Sequence, residues 1–264
     1  MNVFGDTLSL TSNATTLSAV TTGLAAALGS SGVSTTYASL LITALGSSFS
    51  IDQAISQSDR LSIFTPGDLT QTTAGSITAS RLNVSSAADV NVTLLNTANS
   101  VATLQAISIG AGRFSFYDSR DLTIGAAITA NGGLLIQTSG ALTLANKVSS
   151  SASGDAVVLA AGTSFTNTFG STAISTPNGR WLVYSASPSG DSFGGLDSGN
   201  TAVWNSTYAS NAPSTIASGN RYVFAYQPTL TFTSTNATKY YGAGADLSSS
   251  FTVTASVAAN ATRV

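Results

Sequence analysis

Cysteine and histidine are both missing from this 264-residue chain. Their absence removes thiol nucleophiles, thiolate or imidazole metal ligands, and every histidine-based catalytic triad. It also removes disulfide staples, so packing and backbone hydrogen bonds must carry stability. All eleven acidic residues are Asp, and without Glu the chain has little from which to build exposed helices. Only 8% of residues are charged and the net charge is −2; the nine Lys and Arg residues form no cluster. A nucleic-acid footprint is therefore not expected. Apolar runs fall far short of the ~18 residues a membrane span requires. The opening "MNVFGDTLSL" has neither the basic nor the apolar region of a signal peptide. With Met1 the only methionine and patterned sequence starting at once, the chain reads as a fragment of a longer one.

What is present is hydrophobicity in small pieces. Hydrophobic residues make up 43% of the chain, set among Ser, Thr, Asn and 24 Gly. That mixture suits turns and half-polar strands. Self-similarity appears at twenty residues: "DLTIGAAITANGG" (121–133) lies above "ALTLANKVSSSAS" (141–153). Leu122 aligns with Leu142, Ile124 with Leu144 and Ile128 with Val148. A looser third copy continues these columns: Phe165 follows Leu142, Ile174 follows Val148, and Leu182 follows Val158. Within each copy, pieces such as "LTI" alternate, placing Leu122 and Ile124 on one face and Thr123 on the other. Pieces this short, separated by Gly, Asn, Ser or Asp, fit the sides of a coil. The predicted fold is all-β, a right-handed parallel β-helix with about 20 residues per coil. An immunoglobulin-like sandwich array is the rival.

Residues 61–188 are assigned to this β-helix, with Leu69, Val90 and Leu122 read as successive coil starts. Residues 1–60 read as an irregular segment with an incomplete coil. Tyr37, Leu40, Leu41, Ala44 and Leu45 follow helical spacing behind Ser34 and before Gly46, predicting a short helix at 35–45.

A β-helix is vulnerable at its ends, where backbone groups and an apolar cross-section lie open. Trp181, Tyr184, Phe193, Trp204, Tyr208, Tyr222, Phe224 and Tyr226 concentrate just where the repeat fades. "RWLVYS" reads as the last core strand, and 189–227 as a cap and junction built on Trp181, Tyr184, Phe193, Trp204, Tyr222 and Phe224. The competing use of such rings is sugar stacking.

"GRWLVYSASPSGDSFGGLDSGNTAVWNSTY", followed by "SGNRYVFAYQPTLTFTSTNATKYYG", resembles the C-terminal end of a filamentous-haemagglutinin-type β-helix of large bacterial surface proteins. "DLTIGAAITANGGLLIQTSGALTLANKV" resembles that family's repeat region. The resemblance covers 110–264; residues 1–109 share only its texture, and no secretion domain is identifiable. In the family the helix commonly leads into a small β-rich module of the MBG/YDG type. "TKYYG" (238–242) resembles that module's start, so 228–264 is assigned as its truncated beginning. The resemblance implies an extracellular or cell-surface location and an outer-membrane secretion transporter as partner of the full-length chain. It further implies a stalk that mediates adhesion or biofilm formation, with surface glycans or proteins of host or neighbouring cells as partners.

Chemistry has one candidate, "YDSRD" (117–121). Asp118 and Asp121 could support acid/base hydrolysis if both entered one cleft, or they mark a corner turn beside Arg120. With no second acidic cluster, the chain is not expected to be an enzyme. No calcium-loop pattern occurs, and no metal or cofactor is expected. A carbohydrate-binding β-helix and a polysaccharide lyase or hydrolase remain the alternative functions.

Overall fold

A computed structural model describes residues 2–4, 7–19, 38–87, 89–234, 241–242 and 251–256. The chain winds as a parallel β-solenoid of about seven turns, with coils of about 22 residues. Thirteen strands form the first sheet and eight the second. Stacked strands sit about 4.8 Å apart, so seven coils make a rod roughly 34 Å long.

Inward-facing residues form unbroken columns. In the first sheet, Leu8, Leu40, Leu61, Leu82, Leu104, Ile124 and Leu144 stack in register and end on Asn167. Beside them run Leu10, Ile42, Ile63, Val84, Ile107, Ile128, Val148 and Ile174. Across the core, the second sheet stacks Phe49, Leu69, Val92, Phe114, Leu134, Val157 and Trp181. All of these are buried. Leu122 pairs with Leu142, which pairs in turn with Phe165. Each column removes apolar surface from water along the whole rod, at about 25 cal/mol per Å².

Coil corners bring successive backbones very close. A Cβ added at Gly112 would lie 1.6 Å from the Val90 carbonyl oxygen, and one at Gly67 would lie 1.7 Å from that of Ser47. Neither neighbour is a movable side-chain tip. Gly112→Ala should therefore separate two coils locally and lower stability by about 1–3 kcal/mol. Urea denaturation checks this; an unchanged midpoint would show that the corner is loose.

Two readings of the sequence need correction. The helix expected at 35–45 is absent where the chain is described: Ser39–Ala44 is a strand, and residues 35–37 lie outside the described residues. Leu40, Ile42 and Ala44 point inward with strict alternation, and the strand pairs with Thr7–Ser12 on one side and Arg60–Phe64 on the other. Two full ladders outweigh a weak helical spacing. In-register parallel pairing of the first sheet consequently reaches back to Thr7, well before residue 61. The second correction concerns Leu69, Val90 and Leu122, which are not equivalent positions. Leu69 pairs with Val92 in the second sheet, whereas Leu122 belongs to the first. The coil length varies along the rod as the looser third copy implies: Phe49 to Leu69 spans 20 residues, and Val157 to Trp181 spans 24.

Beyond the coil, Thr229–Ser234 pairs antiparallel with Phe251–Ser256 as a separate two-stranded sheet.

Candidate functional site

The pair Asp118 and Asp121 is engaged with backbone. Asp118 ends the strand Phe114–Asp118 and is fully buried. One of its carboxylate oxygens accepts from the Val101 N–H at 2.6 Å and the other from the Arg120 N–H at 3.0 Å. Asp121 accepts the Ala141 N–H of the next coil at 2.8 Å. The two carboxylates thus clamp a corner through different coils. Asp191 makes the same kind of clamp at the C-terminal end, accepting from the Phe165 N–H at 2.7 Å and from the Ser185 hydroxyl. Asn167, 2% exposed, ties Phe169, Gly170 and Phe193 together through both ends of its amide.

Burial pushes the carboxyls of Asp118 and Asp191 up to about 6, against the opposing pull of their hydrogen bonds. Between roughly pH 4 and 6 the folded chain therefore holds more protons at these sites than the unfolded chain. Stability is full below the ordinary carboxylate pKa and declines as pH rises through 6, by about 1–3 kcal/mol for each group. Urea midpoints measured from pH 4.5 to 7.5 should fall; a flat profile would mean both groups stay ionised throughout.

At the C-terminal end, the aromatic residues converge. Trp181, Tyr184, Tyr222 and Phe224 are buried, while Phe193 and Trp204 are partly buried against the core. The Trp181 ring meets Tyr222 edge-on at 5.1 Å, Phe193 tilts against Tyr222 at 4.6 Å, and Trp204 lies 5.1 Å from Phe224. The buried Tyr222 hydroxyl donates to the Leu196 carbonyl at 2.7 Å, so its polar tip is satisfied. Pro188–Gly190 forms a 3-10 turn capped by the Ser187 hydroxyl. Gly194 and Gly195 then take φ of +58° and +80°, a left-handed reversal that suits glycine.

The segment after this reversal has a second task that the alternation of the sequence does not reveal. Outward-facing Leu135, Val158, Leu182 and Tyr184 of the second sheet form an apolar patch with Val223. Residues 203–217 strap across it, with Ile216 and Tyr208 packed on the patch. Arg180 pins the strap: its guanidinium pairs with Asp155 at 2.6 Å and donates to the carbonyls of Pro213, Ile216 and Ala217. The signal was the unbroken apolar run "AVVLAA" and "WLVY", which marks strands buried on both faces.

The last strand of the solenoid, Arg221–Phe224, is not outermost. It pairs with Gly179–Ser185 on one side and bridges Val203 on the other. The final edge is thus a single short bridge, a blunt end that resists pairing with another chain.

The core residues Leu122, Ile124, Ile128, Leu142, Leu144 and Val148 lie together in the interior, all buried in one cluster. No family model, curated protein sequence or solved structure matches this chain. Among the described residues, no three potential metal-ligating side chains come together, and no helix is long and apolar enough to cross a membrane.

Proposed function

We propose that this chain is a structural stalk segment of a secreted bacterial surface adhesin of the filamentous-haemagglutinin type, serving cell adhesion or biofilm formation. The observation that carries the reading is the continuous parallel stack. Its columns run uninterrupted from Leu8 to Asn167, and its polar corner residues are spent on joining coils. Such a coil holds attached segments at a fixed separation without any chemistry of its own. The full-length chain would pass an outer-membrane transporter and meet glycans or proteins of another cell. Antibodies against residues 61–188 are expected to label intact cells of the producing bacterium. An in-frame deletion of this region should reduce surface attachment. Labelling only after lysis, or undiminished attachment, removes the stalk reading.

The carbohydrate-module alternative, resting on Trp181 and Trp204, loses support because Trp181 is 3% exposed and Trp204 is turned onto Phe224. The lyase or hydrolase alternative loses support from the backbone engagement of Asp118 and Asp121.

A further inference from the structure

Outward residues of the second sheet stack as a column in which Tyr117 is followed by Gln137, Ala160 and Tyr184. The drop from large to small at Ala160 leaves a dent, continued by Ala161 and Gly162. The strap passes beside it at Thr207 and Tyr208, closing the dent into a groove of about 250 Å³. Not one residue lining this groove is charged.

The walls differ in kind. Tyr208 is held edge-on against Tyr184 at 5.6 Å, and the Tyr184 hydroxyl donates to the Asn211 carbonyl at 3.1 Å. These two rings are therefore fixed in place before any ligand arrives. Tyr117 and Gln137, by contrast, are only half-buried, and their side chains make no hydrogen bond with the rest of the described chain. The groove thus offers a rigid aromatic wall, a flat floor of small residues, and two neutral polar groups with hydrogen-bonding capacity to spare. A charged ligand would enter without a counter-charge, at a large desolvation cost. A purely apolar ligand would bury the Gln137 amide unpaired. A pyranose satisfies both walls, laying its C–H face on a ring and its hydroxyls on the amide and phenol. Pockets for drug-sized ligands measure roughly 300–1,000 Å³, so this smaller space suits one ring rather than a long chain.

We propose that the groove between Tyr117, Gln137 and Tyr208, floored by Ala160, binds one ring of a neutral saccharide. The site goes beyond the stalk reading and does not depend on it. It also lies apart from Trp181 and Trp204, the rings from which a sugar site would be guessed in the sequence.

The test uses the full 264-residue chain with maltose, cellobiose and lactose as neutral probes. 3′-Sialyllactose and p-cresol serve as the charged and the purely aromatic comparators. Saturation-transfer NMR and chemical-shift titration should show at least one neutral disaccharide binding, with resonances of the groove perturbed. Ala160→Leu fills the floor from the outside, and Gln137→Ala removes the free amide while leaving the inner columns intact. Each should weaken that binding at least tenfold with an unchanged urea midpoint. If Ala160→Leu fails to fold, Gln137→Ala and the map of shifted resonances decide alone. No binding by any neutral probe overturns the proposal. So does binding that both variants leave intact, or a preference for p-cresol or the sialylated sugar.

Discussion

Leu142→Asp is expected to leave the chain without a cooperative unfolding transition. Leu142 is fully buried between Leu122 below and Phe165 above. The substitution removes the apolar contacts of one level, worth about 2–5 kcal/mol when a core Leu is truncated. It also places a carboxylate where no described donor or cation faces the column. An unpaired polar group there adds several kcal/mol more. Together these rival the entire stability of a typical domain, about 5–15 kcal/mol. Because each coil is supported chiefly by its neighbours, the loss should spread along the stack. Circular dichroism and urea titration check it; a cooperative transition within about 1 kcal/mol of the parent would show the column to be redundant.

The second large effect is expected at the C-terminal end. Trp181→Ala should lower stability by about 3–5 kcal/mol, as for other buried aromatic truncations. The ring completes the column above Val157 and supports Tyr222 edge-on. Ending the chain after Pro188 should have a different consequence. It strips the strand Arg221–Phe224 from the edge of Gly179–Ser185 and the strap from the outward face of Leu182 and Val158. An open edge and a new apolar patch would then lie side by side, and sedimentation should show association at micromolar concentration. A truncated chain that stays monomeric with its parent's midpoint would deny the segment any capping role.

The coils were legible in the sequence where corners have no insertions. Leu122 and Leu142, or Ile128 and Val148, are separated by the same twenty residues in sequence and by one level in space. Elsewhere the same rule misleads. Leu69 and Leu122 both open an Asp-Leu-Thr piece, but nothing local says which sheet such a piece joins. Leu40, Leu41 and Ala44 satisfy helical spacing, while Leu40, Ile42 and Ala44 satisfy strand spacing. Ladder partners more than fifteen residues away decide between them. The aromatic end is conspicuous by composition, yet its geometry is not. Tyr208 and Ile216 cover an outward face that only the uninterrupted run of Val157, Val158, Leu159 and Ala160 betrays. Asp118 and Asp121 illustrate a further gap, since their spacing suits an acid/base pair and their partners are backbone N–H groups of separate coils.

The strand Arg221–Phe224 comes last in the winding order and yet is held between Gly179–Ser185 and the bridge at Val203. A mechanical load entering from the C-terminal side, beyond Tyr226, would therefore pull along an interior strand rather than peel an outer one. Hydrogen bonds to Gly179–Ser185 and to the segment at Val203 would be sheared together, not opened one after another. Tension applied there meets the rod at its most cross-linked level, where Arg180 also ties the strap to the sheet. Conversely, a chain that emerges from its N-terminal side first cannot close this end until residue 224 has arrived, so the rod's completion is timed by its final strand.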